Sequence, residues 1–170
     1  MTCRIRLMGR DDKRALMRIL RATPEFKAAD VAVAEEVLDS YLADPVGSGY
    51  QVMVAQVSGT VVGYVCCGPT PLTDGTWDIY WLAVEPHRQG QGIGGTLLAC
   101  AEEKARQARG RLALIETSSR PEYERTRRFH CSHGYHLICR IPDFYAPEDD
   151  KLVFQKRLCG ESPGTATAGV

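Results

Sequence analysis

The 170-residue sequence has no long apolar run and no net charge. No stretch approaches the roughly 18 apolar residues that a membrane-spanning helix needs, and residues 1–6 lack the apolar core of a secretory signal. The 21 basic residues are balanced by 21 acidic ones, which argues against a protein that mainly coats nucleic acid or an anionic membrane. We expect neither nucleic acid nor a membrane as a partner.

A C-x-x-C pair is also missing. The cysteines are odd in number and irregularly spaced, which is not the pattern of a disulfide framework. They are Cys3, Cys66, Cys67, Cys100, Cys131, Cys139 and Cys159. We predict free thiols in a reducing compartment, and therefore a cytoplasmic protein.

The sequence contains no standard zinc motif. Histidine and cysteine do recur over a short stretch, at His130, Cys131, His133, His136 and Cys139. This spacing runs from a predicted helix end into a predicted strand and matches no common zinc site. We predict that the protein holds no metal.

The composition is typical of one globular domain. Hydrophobic residues make up 44% of the chain and charged residues 25%, which is ordinary for a globular protein. The chain is long enough to bury a real core. We predict a domain over residues 1–158 and a disordered tail over residues 159–170, where small and polar residues dominate.

The hydrophobic periodicity predicts alternating strands and helices. Predicted helices cover residues 10–21, 30–43, 92–109 and 122–132. Predicted strands cover residues 4–8, 50–57, 60–67, 77–84, 111–116, 135–141 and 151–158, with a hairpin turn at Ser58-Gly59 and a loop over residues 142–150. This order predicts an α/β fold with one mostly antiparallel, mixed sheet of six to seven strands and helices on both faces.

A glycine-rich segment between a strand and a helix is the most informative part of the sequence. It reads Gln89-Gly90-Gln91-Gly92-Ile93-Gly94-Gly95-Thr96. Glycines in this setting let backbone N–H groups converge on a ligand, and the following helix adds its unpaired N–H groups and positive dipole end. The segment therefore predicts an anion site, most plausibly for a phosphate group.

Two cofactor patterns fit this segment. Gly90, Gly92 and Gly95 satisfy the dinucleotide fingerprint G-x-G-x-x-G, with Glu116 about twenty residues later as the acid for a ribose hydroxyl. However, five residues separate the strand from the first glycine, and the preceding strands form a hairpin instead of a parallel unit. An NAD-type enzyme is therefore the weaker interpretation.

The second pattern is Q/R-x-x-G-x-G/A, met by Gln89, Gly92 and Gly94. Together with the strand end Leu82-Ala83-Val84 and Pro86, it resembles the pyrophosphate loop of GCN5-related N-acetyltransferases (GNAT). The similarity extends over about residues 3–158 in element order. It implies a splayed central pair of strands and acetyl-CoA as co-substrate. It also implies a direct attack by an amine without an acyl-enzyme, and it is compatible with a homodimer.

The resemblance also assigns the coenzyme-binding residues. Leu82 and Val84 would offer backbone groups to the pantetheine arm, as an added strand does. An N–H near Leu82 or Ala83 would polarise the thioester carbonyl. The pyrophosphate would be wrapped by the amides of Gln89, Gly90, Gln91, Gly92, Ile93, Gly94, Gly95 and Thr96.

The position of the general acid departs from the family pattern. The family commonly has a tyrosine four residues before the glycine of a Gly-aromatic pair, here Gly134-Tyr135, but this chain has His130. An imidazole can donate to sulfur when it is charged or in the correct tautomer. The other candidate acids are Tyr123 and Tyr145. The missing tyrosine also leaves open a non-catalytic protein that binds coenzyme A as a sensor.

Base candidates are Asp78, Tyr80 and Glu116. Asp78 and Tyr80 are expected on the same strand face as Leu82 and Val84 because side chains alternate along a strand. Glu116 is expected across the cleft. An acceptor amine of low pKa would need no base. Acids and aromatics over residues 26–41, 68–77 and 142–151 suit a cationic small-molecule or peptide amine.

Overall fold

Seven strands and four α-helices follow one another along the computed structural model, which describes residues 3–158. The strands are β1 Cys3–Leu7, β2 Gln51–Val57, β3 Thr60–Pro69, β4 Thr76–Val84, β5 Leu112–Ser118, β6 His136–Ala146 and β7 Asp149–Arg157. The helices are α1 Lys13–Ala22, α2 Ala28–Ala43, α3 Ile93–Gln107 and α4 Glu124–Ser132. The predicted tail over residues 159–170 lies outside the described residues.

All seven strands form one sheet in the order β1-β2-β3-β4-β5-β7-β6. Every neighbouring pair is antiparallel except β4 and β5, which are parallel. The predicted mixed sheet is therefore confirmed. The β2–β3 hairpin turns at Ser58 and Gly59, whose φ angles are 48° and 82°, as a two-residue turn with two positive φ angles requires.

The sheet separates two apolar cores. The first, called here the α3-side core, includes Leu97, Leu98 and Ala101 of α3 and is joined by Phe129 of α4. The second, the α1-side core, is built from α1 and α2. Alternate residues of β2 point into each, with Met53 in the first core and Val52 in the second. Helices thus cover both faces of the sheet.

The predicted loop over residues 142–150 is wrong for most of its length. β6 continues to Ala146, and β7 begins at Asp149, so the two strands form a long hairpin. The pairing is irregular between Ile141 and Ala146, and Pro142 interrupts the local strand pattern because it has no N–H to donate. All residues of β6 are exposed, which is consistent with its position at the sheet edge.

The helices within residues 3–158 are too short or too polar to cross a membrane. The six cysteines in this part of the chain are free thiols, with Cys66 and Cys67 buried and Cys131 and Cys139 exposed. The seventh, Cys159, lies outside the described residues.

Candidate active site

A cleft opens in the sheet where β4 and β5 separate. Their parallel pairing runs only from Thr76 opposite Leu112 to Ile79 opposite Ile115. Beyond that point β4 continues to Val84 and β5 to Ser118 with no pairing between them. The backbone groups of β4 that face β5 beyond Ile79 are therefore left without a strand partner.

A β-bulge in β4 marks the same point. Cys66 of β3 pairs with Trp81, whereas Cys67 pairs with Ile79, so Tyr80 is an extra residue without a partner in β3. A bulge of this kind bends its strand and increases the local twist. The bulge therefore accounts for the departure of β4 from β5 at this level.

The bulge corrects the predicted faces of β4. Trp77 and Ile79 pack in the α3-side core, and so do Leu82 and Val84 after the bulge. Asp78, which alternates with Trp77 and Ile79, is therefore on the opposite face from Leu82 and Val84. The prediction that these residues share one face is wrong, because it assumed uninterrupted alternation.

The glycine segment leads directly into the start of α3. Gly90 and Gly92 have φ angles of 77° and 80°, and a Cβ at either position would meet nothing within 4 Å. Their backbone conformation, and not lack of space, is thus what favours glycine. Gly92 is the N-cap residue and supplies no side-chain cap.

The first turn of α3 presents unpaired backbone amides. The N–H of Thr96 donates to the carbonyl of Gly92 (3.0 Å), so the amides of Ile93, Gly94 and Gly95 precede the first bond of the helix and have no intrahelical acceptor. No acidic side chain lies in this turn. These amides and the helix dipole can therefore bind an anion.

Gly94 and Gly95 have a different role, because they allow α4 to approach α3. A Cβ at Gly94 would lie 3.3 Å from the ring of Phe129, and a Cβ at Gly95 would lie 2.8 Å from Nε2 of His133. The second distance is shorter than real Cβ contacts. Gly95 is therefore required sterically by His133.

Gln89 connects the glycine segment to β4. Its side-chain Nε2 donates to the carbonyl oxygen of Val84 (3.1 Å), and the N–H of Glu85 donates to the carbonyl of Val62 (2.8 Å). These bonds fix the path from the strand end to the loop. The side chain of Gln89 thus orients the glycine segment through a hydrogen bond to the end of β4.

His130 is buried below the point where the cleft opens. Its ring lies 5.5 Å from that of Phe129, 6.2 Å from that of Tyr135 and 6.3 Å from that of Phe154. Phe154 lies opposite Ile115, the last residue of β5 that pairs with β4. Burial, with a smaller contribution from His133, lowers the pKa of His130 to about 4, so the imidazole is neutral at pH 7.

Among the buried polar atoms without a hydrogen-bond partner in the described residues are two on this side of the sheet that belong to α4 and β5. They are Nδ1 of His130 and Oγ1 of Thr117. Thr117 follows Ile115 by two positions and faces the same way along β5. Because buried polar groups are normally bonded, each of these two atoms is a candidate contact for a polar ligand. Sequence reasoning missed Thr117, because it ended this strand at Glu116.

The other candidate residues lie on two sides of the cleft. Asp78 accepts a hydrogen bond from Oγ1 of Thr70 (2.6 Å). Glu116 forms an ion pair with Lys151 (2.6 Å), whose ammonium lies 4.6 Å from the ring centre of Phe144. Glu116 is about half exposed, and its predicted role across the cleft stays a prediction.

Carboxylates surround two tyrosines at this end of the cleft. Burial raises the pKa of Tyr145, with further contributions from Glu116, Asp149 and Asp30. Burial also raises the pKa of Tyr123 to about 12, with contributions that include Asp30. Both hydroxyls are protonated at pH 7. Sequence reasoning did not single out Ser118, whose hydroxyl donates to the buried Asp149.

The cluster of histidine and cysteine residues is dispersed in the structure. His130 is buried in α4, His133 faces α3, and His136 lies on the exposed edge strand. Within residues 3–158, no group of three potential ligands from His, Cys, Asp and Glu converges on one point.

Comparison with known proteins identifies a match over most of the chain. The model of the acetyltransferase (GNAT) family matches residues 14–135. A GNAT-family protein from Desulfovibrio desulfuricans is 34% identical, with a TM-score of 0.90, over 93% of this chain and 100% of that chain. No curated protein matches in sequence.

Two more distant structures share the fold. The protein yncA from Salmonella typhimurium, determined with its cofactor acetyl-CoA, is 21% identical, with a TM-score of 0.73, over 98% of this chain and 99% of that chain. An aminoglycoside 6'-N-acetyltransferase, determined with coenzyme A, is 19% identical, also with a TM-score of 0.73, over 93% of this chain and 98% of that chain.

Proposed function

This chain belongs to the GNAT family of acetyltransferases, and we propose that it is an acetyl-CoA-dependent N-acetyltransferase acting on a primary amine of a small molecule or peptide. The observation that carries the proposal is the coincidence of two features. The sheet opens at the Tyr80 bulge, and the uncapped first turn of α3 begins at Ile93, separated from the end of the same strand by eight residues that include the first glycines of the segment.

The residues of this chain fit acetyl-CoA in three ways. Unpaired amides at Ile93, Gly94 and Gly95 suit its pyrophosphate. The free edge of β4 around Leu82 suits a peptide-like arm that pairs as a strand. The unpartnered atoms of His130 and Thr117 suit its amide or thioester groups. When bound, acetyl-CoA supplies an activated thioester carbonyl for attack by the amine.

Polarisation of that carbonyl falls to the backbone of β4. Past the bulge, one N–H of Leu82 or Ala83 is directed toward the open edge, since N–H groups alternate along a strand. A backbone donor is fixed before reaction and needs no reorganisation, which makes it an effective oxyanion donor. We assign this role to the segment Leu82-Ala83.

His130 supports the departing sulfur as a neutral donor. Because its pKa is lowered to about 4, the ring has no extra proton to transfer at pH 7, and loss of its single N–H would create an imidazolate. The role that fits is therefore donation of a hydrogen bond. Tyr145, whose hydroxyl stays protonated, is the second candidate donor.

Glu116 is the preferred proton acceptor for the attacking amine. It lies on the part of β5 that has separated from β4, and its position is fixed by Lys151. It can accept the proton through water. Asp78 lies on the opposite face of β4 from Leu82, where its carboxylate accepts a hydrogen bond from Thr70. It is the alternative proton acceptor.

The direct test is release of thiol from acetyl-CoA over a panel of amines, with the acetylated product identified by mass spectrometry. We expect turnover with at least one primary amine. Replacement of His130 by Phe, which keeps the site filled, should lower kcat/KM at least about tenfold.

The possible results separate the hypotheses. A loss below about threefold in the His130→Phe variant would remove His130 from the chemistry. Tight binding of coenzyme A without turnover of any amine would favour the non-catalytic sensor. Binding of NAD instead of coenzyme A would favour the dinucleotide interpretation.

A further inference from the structure

His133 has a fixed orientation against the first turn of α3. Its Nδ1 lies 2.8 Å from the carbonyl oxygen of Phe129. Since a carbonyl oxygen only accepts, Nδ1 carries the hydrogen. The opposite nitrogen, Nε2, lies 2.8 Å from the Cβ position of Gly95. The imidazole therefore presents its second nitrogen to α3.

The position of Nε2 along α3 follows from helix geometry. In an α-helix, each Cα–Cβ bond tilts toward the N-terminus. An atom that crowds the Cβ position of Gly95 therefore lies toward the turn that holds the unpaired amides of Ile93 and Gly94. His133 thus stands beside the end of α3 to which we assign the coenzyme's phosphates.

Packing holds the ring in this place. The centre of the His133 ring lies 4.3 Å from that of Phe129, and Phe129 itself contacts Gly94. At the end of α4, Gly134 has a φ of 85°, and Tyr135 N–H donates to the carbonyl of His130 (3.2 Å), as in a Schellman motif. The ring is therefore positioned before any ligand arrives.

The charges around His133 favour an anion at Nε2. The residues in the first turn of α3 have no titratable side chain. His130, on α4, is the titratable neighbour that interacts with it. From β7, Lys156 reaches Gly134 but is bound to Glu102. His133 belongs to none of the ion pairs within residues 3–158.

We infer that His133 is a phosphate-binding residue of the coenzyme site, an inference that rests on the proposed function. The negative C-terminal end of α4 accepts Nδ1–H, while the Nε2 side faces the positive N-terminal end of α3. An anionic phosphate oxygen placed between them would accept hydrogen bonds from Nε2 and from the α3 amides. The contact needs a hydrogen on Nε2, because a phosphate oxygen only accepts, so binding of coenzyme A is coupled to proton uptake at any pH where the free imidazole is neutral.

Titration calorimetry tests this with coenzyme A and 3'-dephospho-coenzyme A in buffers of different ionisation enthalpy. The wild type should take up protons on binding near pH 7, and His133→Leu should take up none. The variant should bind both ligands roughly tenfold more weakly at pH 6.5. A loss confined to coenzyme A would place the contact at the 3'-phosphate, and an equal loss for both at the pyrophosphate. His136→Leu, on the exposed strand β6, is the matched control and should behave as the wild type.

A double-mutant cycle separates the contact from general damage. Gly95→Ala suits a helix, but its Cβ displaces His133, so it should weaken binding in the wild type and have little effect on a His133→Ala background. Wild-type binding of coenzyme A without proton uptake, or additive effects in the cycle, would overturn the inference and leave the proposed function standing. Absence of coenzyme A binding by the wild type would overturn both.

Discussion

Burial keeps the imidazole of His130 neutral, and this affects the stability of the folded protein. The unfolded chain binds a proton at His130 near pH 6.5, whereas the folded protein binds it only near pH 4. Between these values the unfolded state binds more protons, so stability must fall as the pH decreases. Above pH 6.5 the imidazole is neutral in both states.

We predict that the free energy of unfolding decreases by roughly 2 kcal/mol between pH 7 and pH 5 through His130 alone. In a His130→Leu variant this part of the decrease should be absent. Urea unfolding at the two pH values measures the difference, with His136→Leu as a control that should keep the wild-type decrease. Equal decreases in wild type and His130→Leu would contradict the buried, neutral imidazole.

At the scale of single residues, the sequence predicts the location of a side chain more readily than its protonation state. The spacing from Gly134 predicted His130 as a site candidate, and in the structure it is buried beside Phe154, near the end of the β4–β5 pairing. Its role in the site stays a prediction. Its protonation state depends on burial by neighbours that include Phe154 of β7, which is distant in sequence. Thr117 and Ser118 were missed because the predicted strand ended at Glu116.

At the scale of elements, the bulge at Tyr80 shows where a local pattern fails. The alternation of β4 looks regular in sequence, yet Trp77 and Val84 enter the same core. The extra residue is specified by pairing with β3, not by a local signal. In contrast, the Ser58-Gly59 turn and the start of α3 at Gly92 were predictable. Glycine adopts positive φ angles without steric cost, so its presence indicates where the backbone needs them.

The attachment of α3 to β7 depends on one buried carboxylate. Glu102 of α3 is 4% exposed, and its oxygens lie 2.9 Å and 2.8 Å from Nζ of Lys156. Arg106 adds a longer contact of 3.3 Å. This pair therefore fixes α3, the helix on which the proposed phosphate site lies.

We predict that Lys156→Met lowers the free energy of unfolding by roughly 3 kcal/mol, because it leaves Glu102 buried with only the weaker contact to Arg106. The double variant Glu102→Leu, Lys156→Met should recover most of the loss, since apolar residues replace both charges. Thermal or urea unfolding of the three proteins provides the measurement. A single-variant loss below about 0.5 kcal/mol would mean that the pair is effectively solvated.

At the scale of the whole molecule, a neutral chain has an uneven charge distribution. Glu116, Asp30 and Asp149 all raise the pKa of Tyr145 on one side of the cleft, while the first turn of α3 offers unpaired amides. Sequence analysis singled out Glu116 and treated the acids of residues 26–41 and 142–151 only as groups. It did not predict their convergence, which requires α2, β5 and β7 to assemble. Segregated charge of this kind steers ligands by sign.

We predict that the enzyme prefers acceptors with a second positive charge over neutral amines of similar size. The value of kcat/KM for a diamine should fall roughly threefold as ionic strength rises from about 10 mM to about 150 mM, because salt screens the carboxylates. Asp30→Asn, which keeps the oxygen that caps α2, should reduce both the preference and the salt effect. Asp39→Asn, on the same helix beside Lys13, is the control, and an unchanged preference in Asp30→Asn would contradict the prediction.

The free edge of β6 has a practical consequence for handling the protein. Its outer backbone groups have no neighbouring strand within residues 3–158, and Leu137, Ile138 and Ile141 are exposed beside them. Such an edge is a template for strand-by-strand aggregation at high concentration. Pro142 and the irregular pairing after Ile141 limit the template to about six residues. The substitution Ile138→Lys would place a charge on this edge and oppose such pairing without touching the cleft.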